Sequence, residues 1–253
     1  MEKCTSVLML YARSTAFRLL GILTAAGVIE TILVSLAFDS APSLEEIFYN
    51  SHISMVCGAA FLLWTFTLSL PQFTKSGYIL RRMQLTPRAL FLCHLVYNAL
   101  CYILFWSFHV HLLLVLFYWF GTKADASMFG PQSILLVFYR IDFLHSLLPL
   151  ADWTRYLRNG CFALLLGAAA AYPLIRRDHI SSQLILAAFS LVMLWLFPAS
   201  IGSSTMDWLL SALSAFCMIL LIACATTLDD EPSLAVTDTP VAAVFEDVDE
   251  HEN

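Results

Sequence analysis

Carboxylate, imidazole and amide side chains stand at a few positions where their spacing could support chemistry. The candidates are the adjacent Glu45 and Glu46, then His94 and Asn98 one helical turn apart, and then His109. Groups of these types can hold a metal ion or activate a water molecule, which is the chemistry of an intramembrane hydrolase. Whether the chain is an enzyme depends on whether a complete catalytic motif surrounds them.

No complete catalytic motif is present in the sequence. No arginine follows the glutamate pair at helical spacing, and neither an HExxH nor a GxSxG motif occurs. His109 and His111 are two residues apart, so they lie on different faces of a helix. The nucleotide-binding pattern GxxxxGK[ST] is also missing, and any energy from ATP must come from another chain. We predict that the chain is not an enzyme and that it holds no metal and no cofactor.

Glu30 is the one carboxylate well inside an apolar run, in the stretch AAGVIETILV. At 1.5 Å per residue it lies ~20 Å from the inner surface, and His52 should lie at a similar depth. An ionisable group at that depth is a functional candidate by default. We predict either a substrate path or an intramembrane polar pair at Glu30 and His52, the pair serving to lock two helices together.

The residues above are carried by apolar runs that are long enough to cross a membrane. The chain is 60% hydrophobic and 13% charged, with a mean hydropathy of +0.78, whereas soluble domains are about 45–50% apolar and about 25% charged. A bilayer core of ~30 Å requires ~20 residues of helix. Six runs approach that length: Thr15–Phe38, Phe48–Leu70, Ala89–Phe120, Gly160–Ile175, Ser182–Ile201 and Met206–Leu228. We predict an all-α polytopic membrane protein with six transmembrane helices.

Lysine and arginine residues set the predicted orientation, because short cytoplasmic loops carry the excess of positive charge. An inner N-terminus places nine basic residues inside and four outside. The inner set is Lys3, Arg13, Arg18, Lys75, Arg81, Arg82, Arg88, Arg176 and Arg177. The outer set is Lys123, Arg140, Arg155 and Arg158. We predict a cell-membrane protein with both termini in the cytoplasm.

The long outer segment Gly121–Asn159 is predicted to hold helices of its own. Its middle, Pro131–Leu150, is apolar but is interrupted by Arg140, Asp142 and His145, which are expensive to bury in a span. We predict a membrane-surface or re-entrant helix there, with a seventh span as the less favoured alternative. A polar and aromatic collar is expected just before the fourth span from Asp152, Trp153, Arg155 and Tyr156.

The last 25 residues differ in composition from the rest of the chain. Residues 229–253 hold nine acids and no lysine or arginine, whereas the remainder has ten acids against thirteen bases. Such a segment has too little apolar surface to form a core. We predict a six-span membrane domain over 1–228 and a disordered acidic cytoplasmic tail over 229–253.

The most basic segment between spans is Pro71–Asn98, which contains no acid. Its bases are Lys75, Arg81, Arg82 and Arg88. We predict a short interfacial helix over Tyr78–Leu85, followed by the third span with Thr86 as N-cap and Pro87 as its first residue. On composition alone this segment is an ordinary positive anchor, with arginines reaching to the membrane surface.

The loop reads K-x-G-Y-x-L-R-R-x-x-x-T-P, and with six spans and cytoplasmic termini it resembles the permease subunits of type-2 ATP-binding-cassette exporters. The segments GYILRRMQLTPRALFLCHLVYNALCYILFW and DFLHSLLPLADWTRYLRN are similar to small Firmicutes permeases of this class. The resemblance implies a dimer, formed with a second identical or different permease copy, above two cytoplasmic ATPase subunits. It implies that a coupling helix contacts the ATPase through Gly77, Tyr78, Leu80, Arg81, Arg82, Met83, Thr86 and Pro87.

The function expected from the sequence is that of a permease subunit in an ATP-driven exporter of unknown substrate. Its expected partners are ATP-binding-cassette ATPase subunits, a second permease copy and membrane lipid, and no nucleic acid. The alternative is a non-transporting membrane scaffold or anchor that binds partners through the same basic loop and acidic tail.

Overall fold

All regular structure in the described part of the chain is helical. The computed structural model describes residues 2–38, 44–69, 86–123, 131–150, 152–174, 179–198 and 204–227. The helices are α1 Glu2–Phe38, α2 Leu44–Asn50, α3 Ile53–Ser69, α4 Pro87–Gly121, α5 Pro131–Arg140, α6 Asp142–Leu147, α7 Trp153–Ala171, α8 His179–Leu196 and α9 Ser204–Thr227. A short 3₁₀ turn, Tyr172–Leu174, continues α7.

Three of these helices are long and apolar enough to cross a membrane, within the residues described. They are α1, α4 and α9, and the bent pair α2–α3 makes a fourth if it counts as one span. The apolar part of α8, Ser181–Leu196, is shorter than these candidate spans. The prediction of an all-α protein with several helices able to span a membrane is therefore confirmed for the described residues, while the six-span count stays a prediction.

Contacts along the helices fix their relative directions. Helices α1 and α4 run parallel, because Thr15 bonds Tyr97 near their starts and Phe38 packs on Phe120 near their ends. Helix α3 runs antiparallel to α1, since the hydroxyl of Tyr11, near the start of α1, donates a hydrogen bond to the carbonyl oxygen of Leu68, near the end of α3. We call the end of the bundle where α1 and α4 finish the distal end, and the opposite end proximal.

Helix α7 runs antiparallel to α4 and forms the centre of the bundle. Its residues Ala168 to Ala171 have no exposed surface. Close packing of α7 on α4 is possible because residue 167 is glycine and has no Cβ. A Cβ there would lie 2.8 Å from the Leu95 carbonyl oxygen and 2.9 Å from the Ala99 nitrogen, which is too close. Only glycine allows the two backbones to approach so closely.

The start of α4 agrees with the sequence. Thr86 is its N-cap, with φ −62° and ψ 141°, and its hydroxyl accepts a hydrogen bond of 3.3 Å from the Ala89 nitrogen. Pro87 is the first helical residue, where a missing N–H costs nothing. The 35 residues of α4 give a length of ~52 Å, well above the ~30 Å bilayer core.

The second apolar run is broken, which the sequence analysis did not predict. Helices α2 and α3 meet at 45°, and His52 at the break has a positive φ of 50°. Glu45 and Glu46, which precede the predicted span Phe48–Leu70, lie in the first turn of α2. Carboxylates at that position favour a helix start because they face the positive end of its dipole.

The remaining differences from the sequence concern a cysteine, the outer segment, and two segments outside the described residues. Cys93 is in a disulfide, a role that was not predicted for any of the seven cysteines of the sequence. Helices occur at Pro131–Arg140 and Asp142–Leu147, within the segment predicted to lie on or re-enter the membrane, and their depth in a bilayer stays a prediction. The predicted interfacial helix 78–85 and tail 229–253 lie outside the described residues.

Candidate functional site

The most extensive polar cluster is centred on Arg158 at the distal end. Its guanidinium Nη1 donates to Asp207 Oδ1 at 3.0 Å, and Nη2 donates to the Phe197 carbonyl oxygen at 3.3 Å. Arg158 is 1% exposed and Asp207 is 8% exposed. The pair therefore joins the starts of α7 and α9 to the residue that follows α8, through charge-assisted bonds shielded from water.

A second layer surrounds this ion pair. The Arg155 Nε lies 3.7 Å from both Asp152 Oδ2 and Asp207 Oδ2, and the Thr154 hydroxyl donates to Asp207 at 3.3 Å. Across from them, His145 Nε2 lies 3.1 Å from Asp152 Oδ2. Two arginines and two aspartates thus alternate in a row, in the order Asp152, Arg155, Asp207 and Arg158. The alternation offsets part of the cost of burying them, although Arg155 Nε and Nη1 make no hydrogen bond within the described residues.

Asn159 joins this cluster to α6. Its Nδ2 donates to the Ser146 carbonyl oxygen at 2.8 Å, and its Oδ1 accepts from Arg158. We call the whole set the distal network: His145, Asp152, Thr154, Arg155, Arg158, Asn159 and Asp207. It ties α6, α7, α8 and α9 together at one end of the bundle.

The distal network was not predicted from the sequence. Arg155 and Arg158 were counted as outer surface charges, but both are buried side chains of α7. The reason is that α7 begins at Trp153, seven residues before the predicted span at Gly160. A signal was present: Thr154, Arg155 and Arg158 share one helix face at helical spacing. Asp207, the acid at the start of the last apolar run, was their obvious partner.

A cavity lies between α3, α4, α7 and α8 and reaches the distal end. Its volume is about 580 Å³. Aromatic rings form much of its wall: Phe61, Tyr102, Phe105, Trp106, Phe143, Phe162 and Phe197. Pockets that bind small molecules have ~300–1,000 Å³ and walls of this apolar and aromatic kind.

Polar groups of the cavity lie on its distal side. Arg140, Asp142, Tyr49 and Asn159 are among the lining residues. The Arg140 Nη1 bonds Glu45 Oε1 at 2.8 Å, with both side chains largely exposed. The cavity therefore combines an apolar interior with a rim that carries one positive and one negative lining side chain.

Glu30 has a partner, but the partner is His109 of α4. Glu30 Oε1 lies 3.0 Å from His109 Nδ1, and neither side chain has any exposed surface. The contact lacks the alignment of a hydrogen bond. Glu30 Oε2 and His109 Nε2 have no hydrogen-bond partner among the described residues. Such unpartnered polar atoms are rare in a protein interior.

His52 does not join this pair, contrary to the sequence prediction. It lies exposed at the break between α2 and α3, since the positive φ there ends α2 before the chain turns into α3. His109 had been considered only as part of a hydrolase motif. The prediction that His109 and His111 occupy different faces is confirmed, because His109 is fully buried and His111 is exposed.

The Glu30–His109 pair lies directly behind the cavity wall. The Phe105 ring lines the cavity and packs on the His109 ring with centroids 4.4 Å apart. Any change of charge or position at the pair is therefore transmitted to the wall by direct contact.

Two of the other sequence-predicted residues can be placed in the structure. Of the eight predicted coupling residues, Thr86 and Pro87 are described, at the proximal start of α4. The remaining six lie outside the described residues: Gly77, Tyr78, Leu80, Arg81, Arg82 and Met83. No cluster of three or more metal-ligating side chains occurs among the residues that are described.

Comparison with known proteins identifies no relative. The chain matches no family model, and neither the curated proteins nor the solved structures contain a significant match to it. Its function has to be argued from its own residues and their geometry.

Proposed function

We propose that this protein is the membrane subunit of an ATP-driven exporter, with its substrate held in the cavity between α3, α4, α7 and α8. The cavity is the observation that carries this proposal. It has the volume of a small-molecule site, and it lies inside a bundle whose longest helices are apolar enough to cross a membrane.

The proposed topology has six membrane crossings: α1, the bent pair α2–α3, α4, α7, α8 and α9. Successive crossings alternate in direction, in agreement with the contacts that make α1 and α4 parallel and α7 antiparallel to α4. The proximal end, with both termini, is cytoplasmic because it carries most of the lysines and arginines. The cavity then opens on the outer side of the cell membrane, where an exported substrate leaves.

Energy in this proposal comes from ATPase subunits that bind the proximal side. The supporting features are the basic loop and its resemblance to exporter permeases, together with the absence of a nucleotide-binding motif from the sequence. The loop leads straight into α4 through the Thr86 cap. Because α4 carries both His109 and the cavity residues Tyr102, Phe105 and Trp106, a displacement at its start would reach the cavity.

A second copy of the permease would pack on the exposed face of α1. That face contains Gly21 and Ala25, one helical turn apart, and a Cβ at Gly21 would meet nothing within 4 Å. Around them the large apolar side chains Phe17 and Val28 are more than half exposed. Small residues spaced by four let membrane helices approach closely, so this face suits a helix–helix dimer contact.

The proposal is tested by reversing the charge of the loop. The double substitution Arg81→Glu and Arg82→Glu should abolish co-purification of an ATP-binding-cassette ATPase with the tagged protein. The double substitution to lysine, which keeps the charge, should retain the ATPase. An intact complex with unchanged ATPase activity in the glutamate variant would contradict the coupling role. If the wild-type protein captures no ATPase at all, the non-transporting scaffold is the better description.

A further inference from the structure

We infer that the cavity between α3, α4, α7 and α8 binds an uncharged aromatic molecule whose enclosed part has no hydrogen-bonding group. This inference deepens the proposed function by naming its substrate class, and it rests on that proposal only for the claim that the ligand is exported. Binding itself depends on the cavity alone.

Two polar side chains in the aromatic wall are already bonded to other parts of the protein. The Tyr102 hydroxyl donates to Thr65 Oγ1 at 3.0 Å, and both side chains are buried. The Trp106 Nε1 donates to the Leu147 carbonyl oxygen at 2.6 Å. The donor hydrogens of both rings therefore serve contacts between helices rather than contacts with a ligand.

Polar groups at the distal end of the cavity are bonded in the same way. Asn159 donates from Nδ2 to the Ser146 carbonyl oxygen at 2.8 Å, and its Oδ1 accepts from Arg158. The Phe197 carbonyl oxygen also accepts from Arg158, at 3.3 Å. A ligand donor or acceptor placed inside would therefore lose its bonds to water without gaining equivalent ones, and such unpaired burial is unfavourable.

A charged ligand is disfavoured for a similar reason. Among the described lining residues, Arg140 and Asp142 carry charge. Arg140 bonds Glu45 at 2.8 Å, and Asp142 has an interaction of its own. A ligand ion would have to break one of these contacts or remain buried without a counter-charge, and either lowers its affinity. The charges of the rim therefore reject ions, and selectivity for an uncharged ligand comes from this rejection.

Recognition is left to the aromatic rings of the wall. The Phe61 and Phe105 rings meet edge-on with centroids 6.1 Å apart, and the Phe143 and Phe197 rings do so at 6.0 Å. All four line the cavity, as does the thioether of Met193. Ring faces, ring edges and a thioether sulfur each interact favourably with a ligand ring, beyond the gain from burying apolar area. A saturated chain gains only the area, so the wall favours an aromatic ligand over an alkyl chain.

The test uses three probes that share the pyrene ring system: pyrene itself, pyrenesulfonate and a pyrenylmethyl trimethylammonium. Fluorescence titration of the purified full-length protein in nanodiscs measures the Kd of each probe. Because pyrene also partitions into lipid, the decisive quantity is the ratio of the Kd in a variant with a blocked cavity to the Kd in the wild type. Partition contributes equally to both values.

Ser54→Trp is the blocking variant and Met55→Trp its matched control. Ser54 lines the cavity and is exposed, whereas Met55, which is 72% exposed, does not line it. We expect Ser54→Trp to weaken pyrene binding at least about tenfold and to leave both charged probes unaffected, and we expect Met55→Trp to change none of the three. The inference is wrong if pyrene shows no difference between the two variants, or if a charged probe is weakened as much as pyrene.

Tyr102→Phe tests whether the ligand uses a hydrogen bond. Without the hydroxyl, Thr65 keeps its own bond to the Phe61 carbonyl oxygen at 2.9 Å, so the fold should be retained. We expect an unchanged Kd for pyrene and no new binding of the charged probes. A fluorescent phenol with the same ring system that binds the wild type at least about tenfold more tightly than pyrene, and loses this advantage in Tyr102→Phe, would overturn the apolar assignment.

Competition separates an aromatic ligand from a lipid chain. Phenanthrene should displace pyrene from the wild type, and hexadecane at the same concentration should not. Equal displacement by the two would reassign the cavity to lipid chains and overturn the substrate class.

The two proposals fail in different experiments. Loss of the difference between Ser54→Trp and Met55→Trp, with an ATPase still bound, would remove the substrate class and leave the exporter. Pyrene binding that is blocked by Ser54→Trp, with no ATPase captured, would keep the ligand site and remove the exporter.

Discussion

The distal network and the Glu30–His109 pair both bury charge inside the bundle. They differ at their central contact, because the Arg158–Asp207 ion pair is hydrogen-bonded whereas the Glu30–His109 contact is not, although Arg155 in the network also has buried nitrogens without a hydrogen-bond partner in the described part of the chain. In the network, Arg158 bonds Asp207 and the Phe197 carbonyl oxygen, and further partners surround both. In the pair, each side chain has the other as its close polar neighbour, and Glu30 Oε2 and His109 Nε2 have no partner within the described chain.

We interpret this difference in hydrogen bonding as a difference between buried charges that stabilise the fold and buried charges that serve a function. Buried charges that are paired and hydrogen-bonded hold helices in one arrangement. A buried pair with unused polar atoms contributes less to stability, and such groups persist in membrane proteins mainly where they serve a function. We therefore expect the hydrogen-bonded Arg158–Asp207 ion pair to act mainly in stability, and we expect the Glu30–His109 pair, beside the cavity, to act in function.

The largest expected effect comes from breaking the network. Arg158→Leu leaves the Asp207 carboxylate without its main partner, and we expect the free energy of unfolding to fall by about 3–5 kcal/mol. Denaturant titration of the purified protein in detergent measures it. The double variant Arg158→Leu with Asp207→Leu removes both charges and should regain a large part of the loss. A double variant less stable than the single one would contradict the electrostatic explanation.

The next largest loss of stability is expected at the contact between α4 and α7, the helices that carry His109 and Arg158 respectively. Gly167→Ala places a Cβ against the backbone of α4, and we expect a loss of about 1–3 kcal/mol, as for other overpacked sites. Gly160→Ala on the same helix is the control, because a Cβ there meets nothing within 4 Å. The comparison is measured by thermal unfolding, and equal stability of the two variants would exclude tight α4–α7 contact.

At the Glu30–His109 pair we expect a smaller change in the free energy of unfolding, together with a loss of transport. Glu30→Gln keeps the shape of the side chain and removes its charge, so the free energy of unfolding should change by no more than about 1.5 kcal/mol. Transport by the complex with its ATPase should drop about tenfold, equivalent to about 1.4 kcal/mol on the barrier.

His52→Asn is the control for this prediction, because His52 is exposed and asparagine tolerates its positive φ of 50°. This variant should match the wild type in both measurements. Unchanged transport by Glu30→Gln would contradict a functional role for Glu30. A stability loss as large as that of Arg158→Leu would instead make the pair a structural lock like the network.

The smallest effect is expected at the exposed pair of Arg140 and Glu45. Its geometry is good, with the atoms 2.8 Å apart, but the side chains are 60% and 44% exposed. Glu45→Gln should therefore change the free energy of unfolding by no more than about 1 kcal/mol. The same denaturant titration measures it, and a larger loss would mean that burial is not what distinguishes the network from a surface pair.

The sequence predicted the fold class well because hydropathy over a long run is a local property. It also predicted the start of α4, since the Thr86 cap and Pro87 act within one helical turn. The break at His52 was missed because no glycine or proline marks it. The positive φ there depends on how α2 and α3 pack against their neighbours, which lies beyond any local pattern.

The candidate site was predictable only in part. Glu30 was recognisable because a carboxylate inside an apolar run is rare. Its partner was not, because depth alone allowed His52, whereas the parallel arrangement of α1 and α4 selects His109. Arg158 was misplaced because the polar first half of α7 reads as a loop, and its burial depends on Asp207, 49 residues later in the chain.

The contact at Gly167 has a mechanical consequence. A slide of α7 by one turn along α4 would bring Ala163 or Ala171 to that position, and either carries a Cβ where the Leu95 carbonyl oxygen leaves no room. The pair α4–α7 therefore has one permitted alignment along its length, so a displacement of α4 carries α7 with it. If the protein alternates between two shapes, we expect this pair to move together relative to the flanking helices.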